Sequence, residues 1–303
     1  MISIITPVYK GSQYFTALEN MISQNVKILH SKYPNVLVEF IIVNDYPQEN
    51  ISIEIFKRTA EYQAFLISPE KNGGVHSARV LGLKQARGKY ILFLDQDDEI
   101  YTNFLLKQYE LALHNKDADV IVCNAIKEMN GKEVLWYPNQ IRLSFVTKPW
   151  IYLMVKNQII SPGHCLIKKE SIPQDWYEHI VAQTGADDLM LWLLMFNEHK
   201  KFIASKEVLY CHKETGNNVS SDYKKMELSF YDTKKKLEET GKITDKQMHM
   251  FCRYHMFKFT YHKLSGLKKV YCCFRNLDLI MAYLMYRVSA YIFPFKFIEK
   301  DPS

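Results

Sequence analysis

Gly88-Lys89-Tyr90-Ile91-Leu92-Phe93-Leu94-Asp95-Gln96-Asp97-Asp98 is an apolar run that ends abruptly in three carboxylates. Tyr-Ile-Leu-Phe-Leu reads as a strand buried on both faces, as in a parallel sheet. At neutral pH the clustered carboxylates repel one another, and a hard divalent cation relieves that repulsion. Mg²⁺ or Mn²⁺ takes one or two carboxylates and completes its shell with water and phosphate oxygens. Open α/β sheets bind their ligands at the C-terminal ends of strands, where this cluster falls. A plainer reading stays open locally: Asp97 and Asp98 would cap a helix starting near Tyr101.

The flanking sequence favours the site reading. Asn72-Gly73-Gly74 suits a turn with positive φ or a close backbone approach. Ala78, Leu81, Leu83 and Ala86 then space as the buried side of a short helix, with Arg79 near its start. Ile2-Ser3-Ile4-Ile5 opens the chain as a strand and stops at Thr6-Pro7-Val8-Tyr9. A second strand, 36–43, ends in Asn44-Asp45. Strands ending in polar residues and separated by helical segments predict an α/β fold with a mainly parallel sheet.

In these residues the chain resembles the family 2 glycosyltransferases, whose fold is GT-A. Ser3 to Tyr9 looks like that family's opening strand. Ile41-Ile42-Val43-Asn44-Asp45 matches the strand ending in a nucleotide-contacting Asp, and Asp95-Gln96-Asp97 the family's Asp-x-Asp. Between them, Asn72-Gly73-Gly74 through Ala78-Arg79, Gly82 and Ala86-Arg87-Gly88 match the segment leading into that motif. Gly185-Ala186-Asp187-Asp188, followed by Leu191-Trp192-Leu193, resembles the Glu-Asp motif with its trailing Leu-Trp-Leu. The resemblance covers roughly residues 1–221. It implies a GT-A catalytic domain over 1–221 and a basic, aromatic-rich helical region over 222–303.

The resemblance also implies the chemistry. The donor would be a nucleoside diphosphate sugar, with Mn²⁺ or Mg²⁺ offsetting the charge that grows on the leaving diphosphate. Asp97 is the expected metal ligand, Asp98 its rival, and Asp95 is expected on the ribose. Asp45 would accept from the N3–H of uracil or thymine, with Thr6, Pro7 and Tyr9 shaping the same pocket. Arg79 is placed to contact the nucleotide. Asp188 matches the general base that deprotonates an acceptor hydroxyl. Asp187 stands where the family usually has Glu, which shortens its reach toward the acceptor. One base with direct attack implies inversion at the anomeric carbon. Tyr210-Cys211-His212-Lys213 and Asn218-Val219-Ser220 look like the closing segment. Lys213 there would steady the diphosphate, and His212 would replace the family's His, whose position Thr215 takes, as metal ligand or phosphate donor. Ser161-Pro162-Gly163-His164 would border the acceptor site. Asn44-Asp45-Tyr46-Pro47 departs from the usual Asp-Asp-Gly-Ser and alters the turn beside the base.

Composition bounds what else the chain does. Of its formal net charge of +6, the surplus belongs to the tail: residues 242–303 hold eleven Lys/Arg against four acids. Residues 1–241 are near neutral, with 28 basic and 29 acidic side chains. Aromatics such as Phe257, Tyr271, Phe274 and Tyr283 interleave with those cations. That pattern is expected either to lie on an anionic membrane surface or to pack on the catalytic domain or a second copy. No stretch reaches the ~20 apolar residues of a membrane span, and no nucleic-acid module is present. The six cysteines lack Cys-x-x-Cys spacing, and a strand starting at residue 2 leaves no room for a targeting segment. Free thiols and a cytoplasmic enzyme are the expectation, peripheral on the inner membrane face if the tail takes the first of those two places.

Acceptors consistent with this reading are a glycan, a lipid-linked sugar or a glycoprotein. Two alternatives remain: a non-catalytic binding subunit of the same fold, and a sugar nucleotidyltransferase, whose basic glycine-rich N-terminal loop is missing. The lack of a Gly-x-Gly-x-x-Gly after the first strand counts against a dehydrogenase.

Overall fold

The structure, a computed structural model, describes residues 1–57, 61–183, 185–214 and 222–295. The first half alternates strand and helix: β1 (Ile2–Val8), α1 (Phe15–Lys32), β2 (Val38–Asn44), β3 (Gln63–Ile67), α2 (Gly74–Gln85), β4 (Tyr90–Phe93). Then come β5 (Glu99–Ile100), α3 (Phe104–His114), β6 (Val120–Met129), β7 (Lys132–Leu135), α4 (Gln140–Ser144) and α5 (Pro149–Met154). They are followed by β8 (Cys165–Lys168), α6 (Gln174–Glu178), α7 (Asp187–Asn197) and β9 (Phe202–Glu214). Four helices end the described chain: α8 (Tyr223–Thr240), α9 (Asp245–Lys263), α10 (Gly266–Phe274) and α11 (Leu277–Ser289).

The strands form one mixed sheet in the order β3-β2-β1-β4-β8-β6-β9-β5, with β7 paired to β6. β3, β2, β1 and β4 are parallel, as the alternation of strand and helix predicts. Beyond β4 the sheet is mixed: β8 runs antiparallel to both β4 and β6. β1 runs on past the expected stop at Thr6. Pro7 is tolerated because pairing to β4 has already ended at Ile5, so its missing N–H breaks no ladder there.

Alternate side chains of the strands feed two cores. Ile2, Ile4, Phe40, Ile42 and Leu92 pack with Leu18, Ile22 and Val26 of α1. Ile5, Ile41, Val43, Ile91 and Phe93 pack with Ala78 and Leu83 of α2 and the wholly apolar run Leu189–Met195 of α7. Gly82 lets α2 approach closely, since a Cβ there would overlap Ile5. Phe230, Leu237, Phe251 and Phe259 of α8 and α9 belong to this second core, so those helices pack on the sheet domain.

Asp97 and Asp98 do not cap the next helix. Residues 99–100 pair as β5 with β9, and α3 starts only at Phe104 after Asn103.

Candidate active site

The ends of β1, β2 and β4 converge on one edge of the sheet. The Asp45 backbone N–H donates to Val8 O at 2.8 Å, which sets Asp45 beside the end of β1 where Thr6, Pro7 and Tyr9 lie. Asn44 makes the local turn, its side chain accepting from Tyr46 N at 3.0 Å and donating to Glu49 O at 2.9 Å. The Asp45 carboxylate is buried and accepts from Gly73 N at 2.8 Å, where α2 begins. Burial lifts its carboxyl above the usual range, with the amides of Gly73 and Gly74 opposing. Tyr9 and Tyr46 meet edge to face at 5.2 Å. The buried Thr6 hydroxyl has no hydrogen-bond partner among the described residues.

Gln96, the middle residue of Asp95-Gln96-Asp97, binds the Tyr9 backbone twice: Oε1 accepts from its N–H at 3.0 Å and Nε2 donates to its C=O at 3.2 Å. A Cβ on Gly11 would overlap the Gln96 side chain, which explains the glycine there.

Arg79 joins two acids far apart in sequence. Its guanidinium donates to Asp187 Oδ2 at 2.6 Å and to Asp95 Oδ1 at 2.5 Å, and the residue is 4% exposed. Ser161, expected near the acceptor, donates to Asp95 Oδ2 at 3.2 Å, so both Asp95 oxygens are held. Arg79, expected on the nucleotide, has its terminal nitrogens engaged by protein carboxylates. Asp187 is 3% exposed. Burial works to raise its carboxyl, but Arg79 outweighs it and holds the group below the usual carboxylate range.

Asp188, next along α7, has a different environment. Its Oδ2 accepts from Asn157 Nδ2 at 2.8 Å and its Oδ1 from Leu189 N at 2.7 Å. Burial, and then repulsion from Asp187, pushes its carboxyl up to about 7. Two adjacent acids thus have opposed proton affinities: one is locked in an ion pair, the other exchanges its proton near neutrality.

Asp97 and Asp98 also diverge. Asp98 is 3% exposed and takes hydrogen bonds from the Tyr210 hydroxyl, His212 Nδ1 at 3.0 Å and Lys213 N at 3.0 Å. It braces β9 against the acidic loop. Lys213, expected on the diphosphate, pairs with Glu99. Asp97 has no side-chain partner among the described residues; burial and repulsion from Asp98 and Asp95 push it up to about 6. It borders a 320 Å³ cavity with Gln96, Asp98, Lys213, Tyr14 and Asn20. Among the described residues no three His, Cys, Asp or Glu side chains already form a metal cluster. An unpartnered, repelled carboxylate fits a hard divalent cation that draws its remaining ligands from substrate and water. Thr215 and Asn218 to Ser220 lie outside the described residues.

Asn157, Tyr210 and Gln96 were not singled out by the sequence. Gln96 and Tyr210 stand inside quoted motifs, whereas Asn157 follows α5 with no local signal and meets Asp188 only through the fold.

The model of the family described as glycosyl transferase family 2 matches residues 3–176, more than half of the chain. An uncharacterized glycosyltransferase, YibD, of Escherichia coli is 30% identical over 170 residues, 50% of this chain and 46% of that protein. The poly(ribitol-phosphate) β-N-acetylglucosaminyltransferase TarS of Staphylococcus aureus is 24% identical over 235 residues, 76% of this chain and 38% of TarS. The matches thus span less than half the length of these curated relatives. The crystal structure of S. aureus TarS 1–349 with UDP-GlcNAc superposes at a TM-score of 0.54 and 16% identity, covering 98% of this chain and 94% of that one. At that identity the likeness concerns the fold. The family match places this chain in glycosyl transferase family 2.

Proposed function

We propose that this chain transfers a sugar from a UDP-sugar to an acceptor hydroxyl with inversion, using Asp188 as general base. The carrying observation is the poise of Asp188: a carboxyl raised to about 7, held by Asn157 and set beside an ionised acid that Arg79 pairs. A base with a pKa near the working pH combines an ionised fraction with useful proton affinity. The acceptor O–H proton passes to Asp188 as the oxygen attacks the anomeric carbon. The bond from that carbon to the diphosphate breaks, and its electron pair leaves with UDP. Asp45, whose carboxylate can accept an imide N–H, suits uracil or thymine, and the complex of TarS with UDP-GlcNAc favours uracil.

Asp97 would hold Mg²⁺ or Mn²⁺, which when bound supplies positive charge to the diphosphate oxygens. Asp95 is oriented by Arg79 and Ser161 for the ribose. The acceptor is a glycan, a lipid-linked sugar or a glycoprotein, reached from the cytoplasmic side. Calorimetric titration with UDP, first with Mn²⁺ and then with EDTA, tests the donor site, and a panel of UDP-sugars scored by UDP release tests transfer. Metal-dependent UDP binding with release from one donor is the expected outcome. Binding without release from any donor, in the presence of glycan and lipid-linked acceptors, would favour a non-catalytic subunit.

A further inference from the structure

α10 and α11 carry an apolar stripe that nothing in the described chain covers. On α10, Leu267, Val270, Tyr271 and Phe274 are exposed at i, i+3, i+4 and i+7, and no residue of this helix is buried. On α11, Met281, Leu284, Met285 and Val288 repeat that spacing. The opposite face of α11 is firmly seated: Tyr286 packs with Ile151 and Val155, Arg142 donates to Tyr286 O at 3.0 Å, and Asn139 donates to Ser289 O at 2.6 Å. The exposed stripe is therefore the outer face of a fixed helix. Phe274 is 65% exposed, Met285 71% and Phe293 90%.

Lys268 and Lys269 lie on α10, Arg275 at its C-terminal cap and Arg287 on α11, and none pairs with a carboxylate among the described residues. The one acid between 264 and 295, Asp278, is taken by Arg253. Between α9 and α10 an 800 Å³ groove brings Lys268 and Arg275 together with Met256, Phe257 and Leu264.

We propose that α10 and α11 form an interfacial anchor that lies on a bilayer surface containing anionic lipid. Apolar side chains would enter the acyl boundary while the cations meet lipid phosphates. The helices are too short and too charged to cross a membrane. A second copy is a poorer occupant, because a two-fold interface would set the unpaired cations against themselves. The surface stands without the glycosyltransferase reading. Its consequence for that reading is an acceptor presented at the membrane, which favours the lipid-linked class.

The test is co-sedimentation of the full chain with vesicles of phosphatidylcholine alone and with about one-third phosphatidylglycerol. Binding to the anionic vesicles alone, weakening as salt rises, is expected. Lys268→Glu with Lys269→Glu should lower partitioning by at least about five-fold per cation, and Phe274→Glu with Met285→Glu should abolish it, while cooperative urea unfolding confirms that each variant is folded. Failure to pellet with anionic vesicles, equal binding to both vesicle types, or a soluble dimer that Phe274→Glu with Met285→Glu dissociates would each overturn the proposal. Loss of UDP binding by the unaltered chain would overturn the donor reading and leave this one standing.

Discussion

Arg79 on α2 donates to Asp187 at the head of α7 at 2.6 Å, and both side chains are about 5% exposed. The pair ties the segment before the acidic strand to the segment that carries Asp188. Breaking one partner of a buried pair leaves an uncompensated charge, which costs about 3–5 kcal/mol. Arg79→Met should lower unfolding stability by that amount in urea. Arg79→Lys should recover only part of it, because one ammonium cannot span Asp187 and Asp95 as the guanidinium fork does. A loss below about 1 kcal/mol for Arg79→Met, the range of an exposed pair, would mean the bridge is solvated.

Asp188→Asn should leave UDP affinity unchanged and reduce transfer by about 10²–10⁴-fold, the usual worth of a positioned base. Near-normal transfer would remove Asp188 from that role. Acting as the proposed base, Asp188 must be ionised, and its carboxyl is raised to about 7. Activity should therefore rise with pH, bend near 7 and level off above it. The bend belongs to the interacting Asp187–Asp188 pair as a macroscopic value.

Asn157→Ala separates positioning from basicity. The Asn157 N–H donates to the carboxylate and so favours its charged form. A hydrogen bond to a charged group is worth about 1.5 kcal/mol, roughly one pH unit. The acid limb should shift upward by about that amount, so the variant suffers most at pH 6 and recovers at pH 8.5. A uniform loss at every pH would assign Asn157 to geometry alone.

The parallel half of the sheet was legible because β1, β2 and β4 are apolar runs with abrupt polar ends, a pattern set by burial on both faces. The antiparallel insertion of β8 was not, since Cys165-Leu166-Ile167 is too short for its direction to leave a mark. The acids of the site could be read as residue types at motif spacing. Their division of labour could not: Asp98 differs from Asp97 through Tyr210 and His212, more than 110 positions away. Arg79 is the same case, an arginine near a helix start in sequence and a buried bridge in space. Proton affinity follows burial and neighbours, and both are set by the fold rather than by the motif.

That division of labour can be tested on the neighbouring acids. Asp97 is the cavity carboxylate with no side-chain partner among the described residues, so Asp97→Ala should remove the Mn²⁺ dependence of UDP binding with little effect on stability. Asp98→Ala should do the reverse. It would strip the Tyr210 hydroxyl and the His212 ring of their shared acceptor, and losing it at the buried Tyr210 costs about 1–3 kcal/mol. The metal response should survive wherever that variant remains folded. Urea unfolding and calorimetry on the two proteins, side by side, separate the roles. If Asp98→Ala lost the Mn²⁺ response and Asp97→Ala kept it, the cation would belong to Asp98 and the brace would have to open when metal binds.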